Sequence, residues 1–227
     1  GGAPRHQDYA YIGNAVPNNL HWLDVKKMRD AGFRIIRSAH YPQDPAFMDA
    51  CDELGMFIIV ATPGWQYWNP EPVFEERILS DIRNMVRRDR NHPSVLLWEP
   101  VLNETAFPES FAQNAYRATH EEYPAPGCYA AIDDKSKGAM GYDVVYTAPK
   151  NEAFYRNAGK SCFTREYGDC VDDWNSHNSY SRVAREWGEE PQIRQAQHYA
   201  RKDYGGSLTV DQFYKSPRGH IGGALWH

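Results

Sequence analysis

Residues 94–105 read "SVLLWEPVLNET". The run from Ser94 to Trp98 is short and mostly apolar, as in a strand buried on both faces. A strand that leaves a core normally runs into turn residues. This one runs into Asn103 and Glu104, an amide and a carboxylate side by side. A carboxylate at that position needs either a partner or a task.

The segments on either side alternate in period. Residues 71–90 carry Phe74, Ile78, Ile82 and Met85 along one helical face, and residues 109–122 also read as a helix. Further upstream, "NNLHWLDVKKMRDAG" is a helix stopped by Gly32, and "FRIIRSAHYP" is a strand. "DPAFMDACDELG" is a helix with Asp44 as cap, Pro45 in the first turn and Gly55 as terminator, and "MFIIVATPG" is a strand. Downstream, "GCYAAID", "DVVYTAP", "KSCFTREYG" and "HIGGALWH" read as strands. "NEAFYRNAG" is a short helix, and a longer helix is expected at about 181–203.

Repeated βα units imply a parallel sheet with right-handed crossovers. Both an open doubly wound sheet and a closed (β/α) barrel fit. No glycine-rich phosphate loop follows a strand, which argues against a nucleotide fold. Polar residues recur at strand C-termini: Ser38, His40, Asn103, Glu104, Asp133, Glu166 and Trp226. In a barrel these ends share one face, where the active site lies. The expected fold class is therefore α/β, a (β/α)8 TIM barrel truncated at both ends. "GGAPRHQDY" serves as the remnant of the first strand and puts His6 and Asp8 on that same face.

Composition bounds the function. With 41% hydrophobic residues, the 227-residue chain has the means to build one large core. A net charge of −5 without a basic run gives no sign of nucleic-acid binding, and no apolar stretch is long enough to span a membrane. Cys51, Cys128, Cys162 and Cys170 lack zinc or redox spacing and read as buried free thiols. No signal peptide is visible, but the chain starts abruptly at Gly1 and stops at His227, as expected of an excised domain whose export signal is lost; the compartment is left open, and a periplasmic or secreted parent is compatible.

Glu104 and Glu166 leave strands four and seven, on roughly opposite sides of an eight-stranded barrel. Two carboxyl groups about 5–5.5 Å apart are the apparatus of a retaining glycosidase. One attacks the anomeric carbon, and the other serves as acid and then as base. A metal hydrolase built on His6, Asp8 and His40 would lack any familiar ligand spacing.

The sequence resembles the catalytic domain of glycoside hydrolase family 2, which includes β-galactosidases, β-glucuronidases and β-mannosidases. "IIRSAHYPQDPAFMDACDELGMFIIV" resembles its second βα unit and third strand. "RDRNHPSVLLW" with the following "NE" resembles its acid/base signature, "TREYGD" its nucleophile strand and "GGALWH" its eighth strand. "RHQDYAYIGNAVPNNLHWLDVKKMRDAG" is similar to the β-galactosidase branch. The resemblance implies that Glu104 is the acid/base and Glu166 the nucleophile. It also implies that Asn103 bonds the sugar 2-hydroxyl, that His6 and His40 line the glycone pocket and that Trp226 faces the sugar. Asp8 and Asp169 are further binding candidates. Residues 1–227 are then a single barrel domain of a larger enzyme with N-terminal β-sandwich domains. Its partner is a carbohydrate substrate, with no cofactor and no metal, and an oligomer of the full-length parent is left open.

Three departures stand out. Tyr146 lies slightly early for a tyrosine that touches the nucleophile. "ATPGWQYWNPEP" replaces an acidic segment with Trp65, Tyr67 and Trp68, which suggests stacking on a sugar chain. "WEPVLNE" stands where relatives have "WSLGNE". Rival readings are a β-glucuronidase or β-mannosidase, or a non-catalytic sugar-binding relative, though the latter has no need of both glutamates.

Overall fold

A computed structural model of the protein describes residues 2–3, 12–148, 151–167 and 220–226. Eight parallel strands are β1 (Gly2–Ala3), β2 (Ile35–Arg37), β3 (Phe57–Ala61), β4 (Val95–Glu99), β5 (Ala131–Asp133), β6 (Val144–Tyr146), β7 (Ser161–Tyr167) and β8 (His220–Trp226). Their order in the sheet is β4-β3-β2-β1-β8-β7-β6-β5. One further parallel bridge, Trp98 to Ala130, joins β4 to β5, with the Trp98 N–H donating to the Tyr129 carbonyl at 2.9 Å. That bridge closes the ring, so the sheet is a barrel and the open alternative is set aside. Gly2–Ala3 pairs with both β2 and β8 and fills the place of the first strand.

Among the described residues, five helices alternate with these strands: α1 (Asn18–Asp30), α2 (Pro45–Leu54), α3 (Pro72–Asp89), α4 (Glu109–Glu122) and α5 (Glu152–Asn157). Local sequence accounts for α2 in particular. Asp44 accepts from the Ala46 N–H at 2.8 Å, Pro45 opens the first turn, and Gly55 ends it with φ at 66°. The aspartate cap is worth about 1 kcal/mol, and the left-handed terminus suits glycine alone at little cost. The connection between β5 and β6 carries only a short 3-10 turn, Ala139–Gly141.

Strand alternation divides the core. Ile58 and Val60 of β3 face outward and pack with Val25, Phe47, Met48 and Met85 of the surrounding helices. Ile59 faces inward with Leu97, Ala131, Phe163 and Ala224. The "GCYAAID" strand is shorter than its apolar run, because Gly127 turns the chain with φ at 97° and regular pairing with β6 starts at Ala131. Cys51, Cys128 and Cys162 are buried free thiols, as expected; Cys170 and the helix expected at 181–203 lie outside the described residues. Among the described residues no helix is long and apolar enough to cross a membrane.

Candidate active site

The C-terminal strand ends converge on one connected set of charges. Arg37, at the end of β2, is fully buried. A buried guanidinium must be paired. Its Nε and Nη2 donate to the two carboxylate oxygens of Glu99, at the end of β4, at 2.8 and 2.6 Å. The Tyr146 hydroxyl, at the end of β6, donates to Glu99 Oε2 at 3.2 Å. These three residues come from even-numbered strands, in keeping with the layered filling of such barrels. Burial works against the Arg37 charge, but Glu99, with Tyr146 and Glu166 adding to it, more than offsets this and raises the pKa above the ordinary arginine value. Burial, with Glu99 beside it, drives the Tyr146 phenol well above its usual range.

Arg37 also reaches the strand across the barrel. Its Nη1 donates to Glu166 Oε1 at 2.8 Å, and its Nη2 donates to Asn103 Oδ1 at 3.2 Å. Glu166 sits on β7, where the register against β8 shifts between Cys162 and Thr164 and again between Thr164 and Tyr167. Such bulges re-aim side chains next to active sites. Here the consecutive residues Arg165 and Glu166 both join the network, with Arg165 Nη1 at 3.2 Å from Glu166 Oε1.

Arg165 connects the remaining parts. Its Nε donates to Asp133 Oδ1 at 2.8 Å, its Nη1 also donates to Asn103 Oδ1, and its Nη2 donates to Glu104 Oε1 at 3.3 Å. Glu104 and Glu166 therefore bond to neighbouring nitrogens of one guanidinium. Burial pushes the Asp133 carboxyl up to about 6, with the Arg165 charge opposing this and Glu99 adding to it.

Glu104 is held differently from the buried pair. Its side chain is 41% exposed. Gln66 Nε2 donates to its Oε2 at 2.6 Å. Burial favours the neutral acid, but the Gln66 bond and the Arg165 charge outweigh it and hold the pKa below the usual glutamate value. Gln66 and Glu104 are the described non-glycine residues with positive φ, at 55° and 50°. Each such conformation costs roughly 1–3 kcal/mol and persists where its surroundings enforce it.

The structure gathers the expected residues unevenly. Asn103 is buried, and its Oδ1 accepts from both arginines. His40 is buried, with Nδ1 3.4 Å from Arg37 Nη2 and Nε2 3.9 Å from Glu166 Oε1. Trp65 is half-exposed, its ring 5.8 Å from that of His40. Tyr146 bonds Glu99, and Arg37, which lies over its ring, bonds Glu166. Ser38, expected at the mouth, instead bonds the β3 backbone, donating to the Ile59 carbonyl at 2.7 Å. Trp68, expected among the stacking aromatics, packs into the rim on Phe74, Phe107 and Phe111. His6, Asp8 and Asp169 lie outside the described residues. Trp226 closes β8, and its side chain also lies outside them. Arg37, Gln66, Glu99 and Arg165 were not singled out from the sequence. A charge inside an apolar strand ("IIRS", "LLWE") was the available signal, since it demands a partner.

A closed parallel barrel with its charged side chains at the C-terminal strand ends has the architecture of a TIM-barrel enzyme. The chain belongs to the glycosyl hydrolases family 2: the model of that family's TIM barrel domain matches residues 1–125. It is 37% identical over 125 residues to a β-galactosidase of Thermoanaerobacterium thermosulfurigenes, covering 54% of this chain and 17% of that protein. It is 22% identical over 205 residues to a β-glucuronidase of Streptococcus agalactiae serotype V, covering 82% of this chain and 32% of that one. Among solved structures, a Bacteroides uniformis β-glucuronidase matches all of this chain and 30% of its own, with a TM-score of 0.71 at 21% identity. A family 2 β-galacturonidase from Eisenbergiella tayi bound to galacturonate gives 0.69 at 23% identity, over 100% of this chain and 43% of that one. At such identities the structural likeness speaks to the fold. The chain spans only a small fraction of the length of these relatives.

Proposed function

We propose that residues 1–227 form the catalytic barrel of a retaining, exo-acting β-glycosidase, a larger protein with β-sandwich domains preceding this one. Glu166 attacks the anomeric carbon as the glycosidic C–O bond breaks. Glu104 gives its proton to the departing oxygen. Glu104 then takes a proton from water, which displaces Glu166 and releases the sugar with its β-configuration kept. The observation that carries this reading is the pair of carboxylates bonded to neighbouring nitrogens of Arg165. Asn103 adds support: its Oδ1 is fixed by two arginines, which orients the amide nitrogen to donate to a sugar hydroxyl. Such a bond aids rate where it strengthens in the transition state.

The proposed glycone is galactose-configured, within oligosaccharides from a polysaccharide. The β-galactosidase relative at 37% identity supports it. So does the state of the cations at the mouth among the described residues: Arg37 and Arg165 are both occupied by the protein's own carboxylates. A uronic acid would need a cation to itself. The alternative, a β-glucuronidase, takes its support from the S. agalactiae relative.

The test uses the intact parent protein and azide. Glu104→Ala removes proton transfer but not the nucleophile. With a dinitrophenyl glycoside the first step proceeds, and azide, which needs no base, restores turnover as the β-glycosyl azide. General acid–base help is worth about 10²–10⁴-fold, so the rescue is easily measured. Glu166→Ala fails on every substrate and, where azide rescues it, gives the inverted α-azide. The opposite stereochemistry would exchange the two roles, and full activity in both variants would end the reading. Turnover of a β-glucuronide but no β-galactoside by the parent would overturn the glycone, and release of internal fragments would overturn exo action.

A further inference from the structure

We propose that Gln66 is a positioning residue for Glu104, fixing the carboxyl group in the orientation that proton transfer requires. This rests on Glu104 being the acid/base. The loop after β3 is tied to the end of β4 through both backbone and side chain. Trp65 and Asn103 form a parallel bridge, the Gln66 N–H donates to the Asn103 carbonyl at 3.0 Å, and Gln66 Nε2 donates to Glu104 Oε2 at 2.6 Å. The two residues joined by that last bond are the two described non-glycine residues with left-handed backbones. A carboxylate on such a residue has no strand ladder to hold it, and here the loop amide does so.

The choice of an amide has a chemical reason. Among the described residues, the charged groups acting on Glu104 include Arg165 from β7, on its Oε1, and, more distantly, Arg37 from β2. An arginine stabilises only the ionised carboxyl. A glutamine donates through Nε2 and accepts through Oε1, so it can hold a carboxylate as acceptor and a protonated carboxyl as donor. It is therefore suited to a group that must be an acid in one step and a base in the next. Trp65, on the same loop, packs near His40, which ties this segment to the Glu166 side of the mouth as well.

The test uses the intact parent and a series of aryl glycosides running from dinitrophenyl to poor leaving groups. Gln66→Met keeps the volume and removes both hydrogen-bonding atoms. It should lower kcat/KM about 10–100-fold for poor leaving groups, within the range of general acid help, and less than about 3-fold for the dinitrophenyl substrate, whose departure needs little protonation. Retained dinitrophenyl turnover also shows that the variant is folded. Gln66→Glu puts a second carboxylate against Glu104 and should move the basic limb of the kcat/KM profile upward in pH. If Gln66→Met lowered all leaving groups alike and Gln66→Glu left the pH limb in place, Gln66 would only shape the loop and the proposal would fall. Glu104→Ala in the same series separates the two levels. If its dependence is steep while that of Gln66→Met is flat, the role of Gln66 alone is lost. If both are flat, the acid/base assignment is lost and the proposal with it.

Discussion

Replacing Glu99 with Leu should be among the most destabilising single changes at the mouth of this barrel. Glu99 holds a fully buried guanidinium through two bonds, at 2.8 and 2.6 Å, and also accepts from the Tyr146 hydroxyl. Without it, Arg37 keeps its charge in the interior with Glu166 as its remaining ionic partner at 2.8 Å, and that carboxylate is already shared with Arg165. Removing one partner of a buried ion pair costs about 3–5 kcal/mol. For a domain of 150–250 residues, each kcal/mol moves Tm by about 2–4 °C, so the expected fall is roughly 6–20 °C. Calorimetry of the intact protein, following the transition that contains the barrel, measures it. The double variant Arg37→Met with Glu99→Leu removes the stranded charge. Buried pairs replaced by apolar groups of similar volume are often neutral or more stable. The double variant should therefore melt above Glu99→Leu alone, with a coupling of at least about 2 kcal/mol, inside the range seen for contacting residues. A Glu99→Leu protein melting within 2 °C of the parent, or strictly additive variants, would refute the reasoning (roughly 2 °C being under 1 kcal/mol here).

Two further predictions concern protons. The Asp133 carboxyl lies near 6 in the folded protein and near 3.8 in the unfolded chain. Between those values the folded state binds the proton more tightly, so Asp133 makes stability fall as pH rises from about 4 to about 6. Glu104, whose pKa is depressed, acts in the other direction, adding stability that is lost as pH falls below its ordinary 4.5. The difference in Tm between the parent and Asp133→Asn isolates the first effect. It should shift against the parent over that window and level off above it, and a shift in the parent's favour would contradict the burial of Asp133. Trapping the covalent intermediate with a 2-fluoro sugar should lower the Glu104 pKa further, read by carbon-13 NMR of the labelled carboxyl; a rise would contradict the role given to Arg165.

Much of the fold was legible because its signals are local. The cap at Asp44, the proline at position 45 and the glycine at 55 act within a few residues, and the structure carries all three. That Glu104 and Glu166 meet, here around one guanidinium, was legible through their place at strand ends. The partners that control them were not. Arg37 and Glu99 lie 62 residues apart, and Arg165 and Asp133 lie 32 apart. Their pairing depends on barrel closure and on the bulge in β7, and no local period encodes either. Trp65 and Trp68 look alike in sequence, three residues apart in one loop. The structure separates them, because Trp68 meets Phe74, Phe107 and Phe111 while Trp65 bridges to Asn103.

The shared arginine bears on a difficulty in the proposed mechanism. A general acid is normally raised in pKa by burial or by a nearby negative charge. Glu104 is instead depressed, because Gln66 and Arg165 both favour its ion and outweigh its burial. Arg165 does not serve Glu104 alone, since its charge is divided with Glu166 and Asp133. In the proposed mechanism Glu166, once esterified by the sugar, no longer carries charge. The field of Arg165 then falls on Glu104 and Asp133 only, and Glu104 is driven further toward the carboxylate. That is the form needed to take a proton from water in the second step. Before the first step Glu166 draws on the same arginine, so Glu104 is at its most basic when, on this proposal, it must hold a proton to give. One guanidinium between two carboxylates thus moves the proton affinity of Glu104 in the sense the double displacement requires, and the trapped intermediate is the state in which that movement is measured.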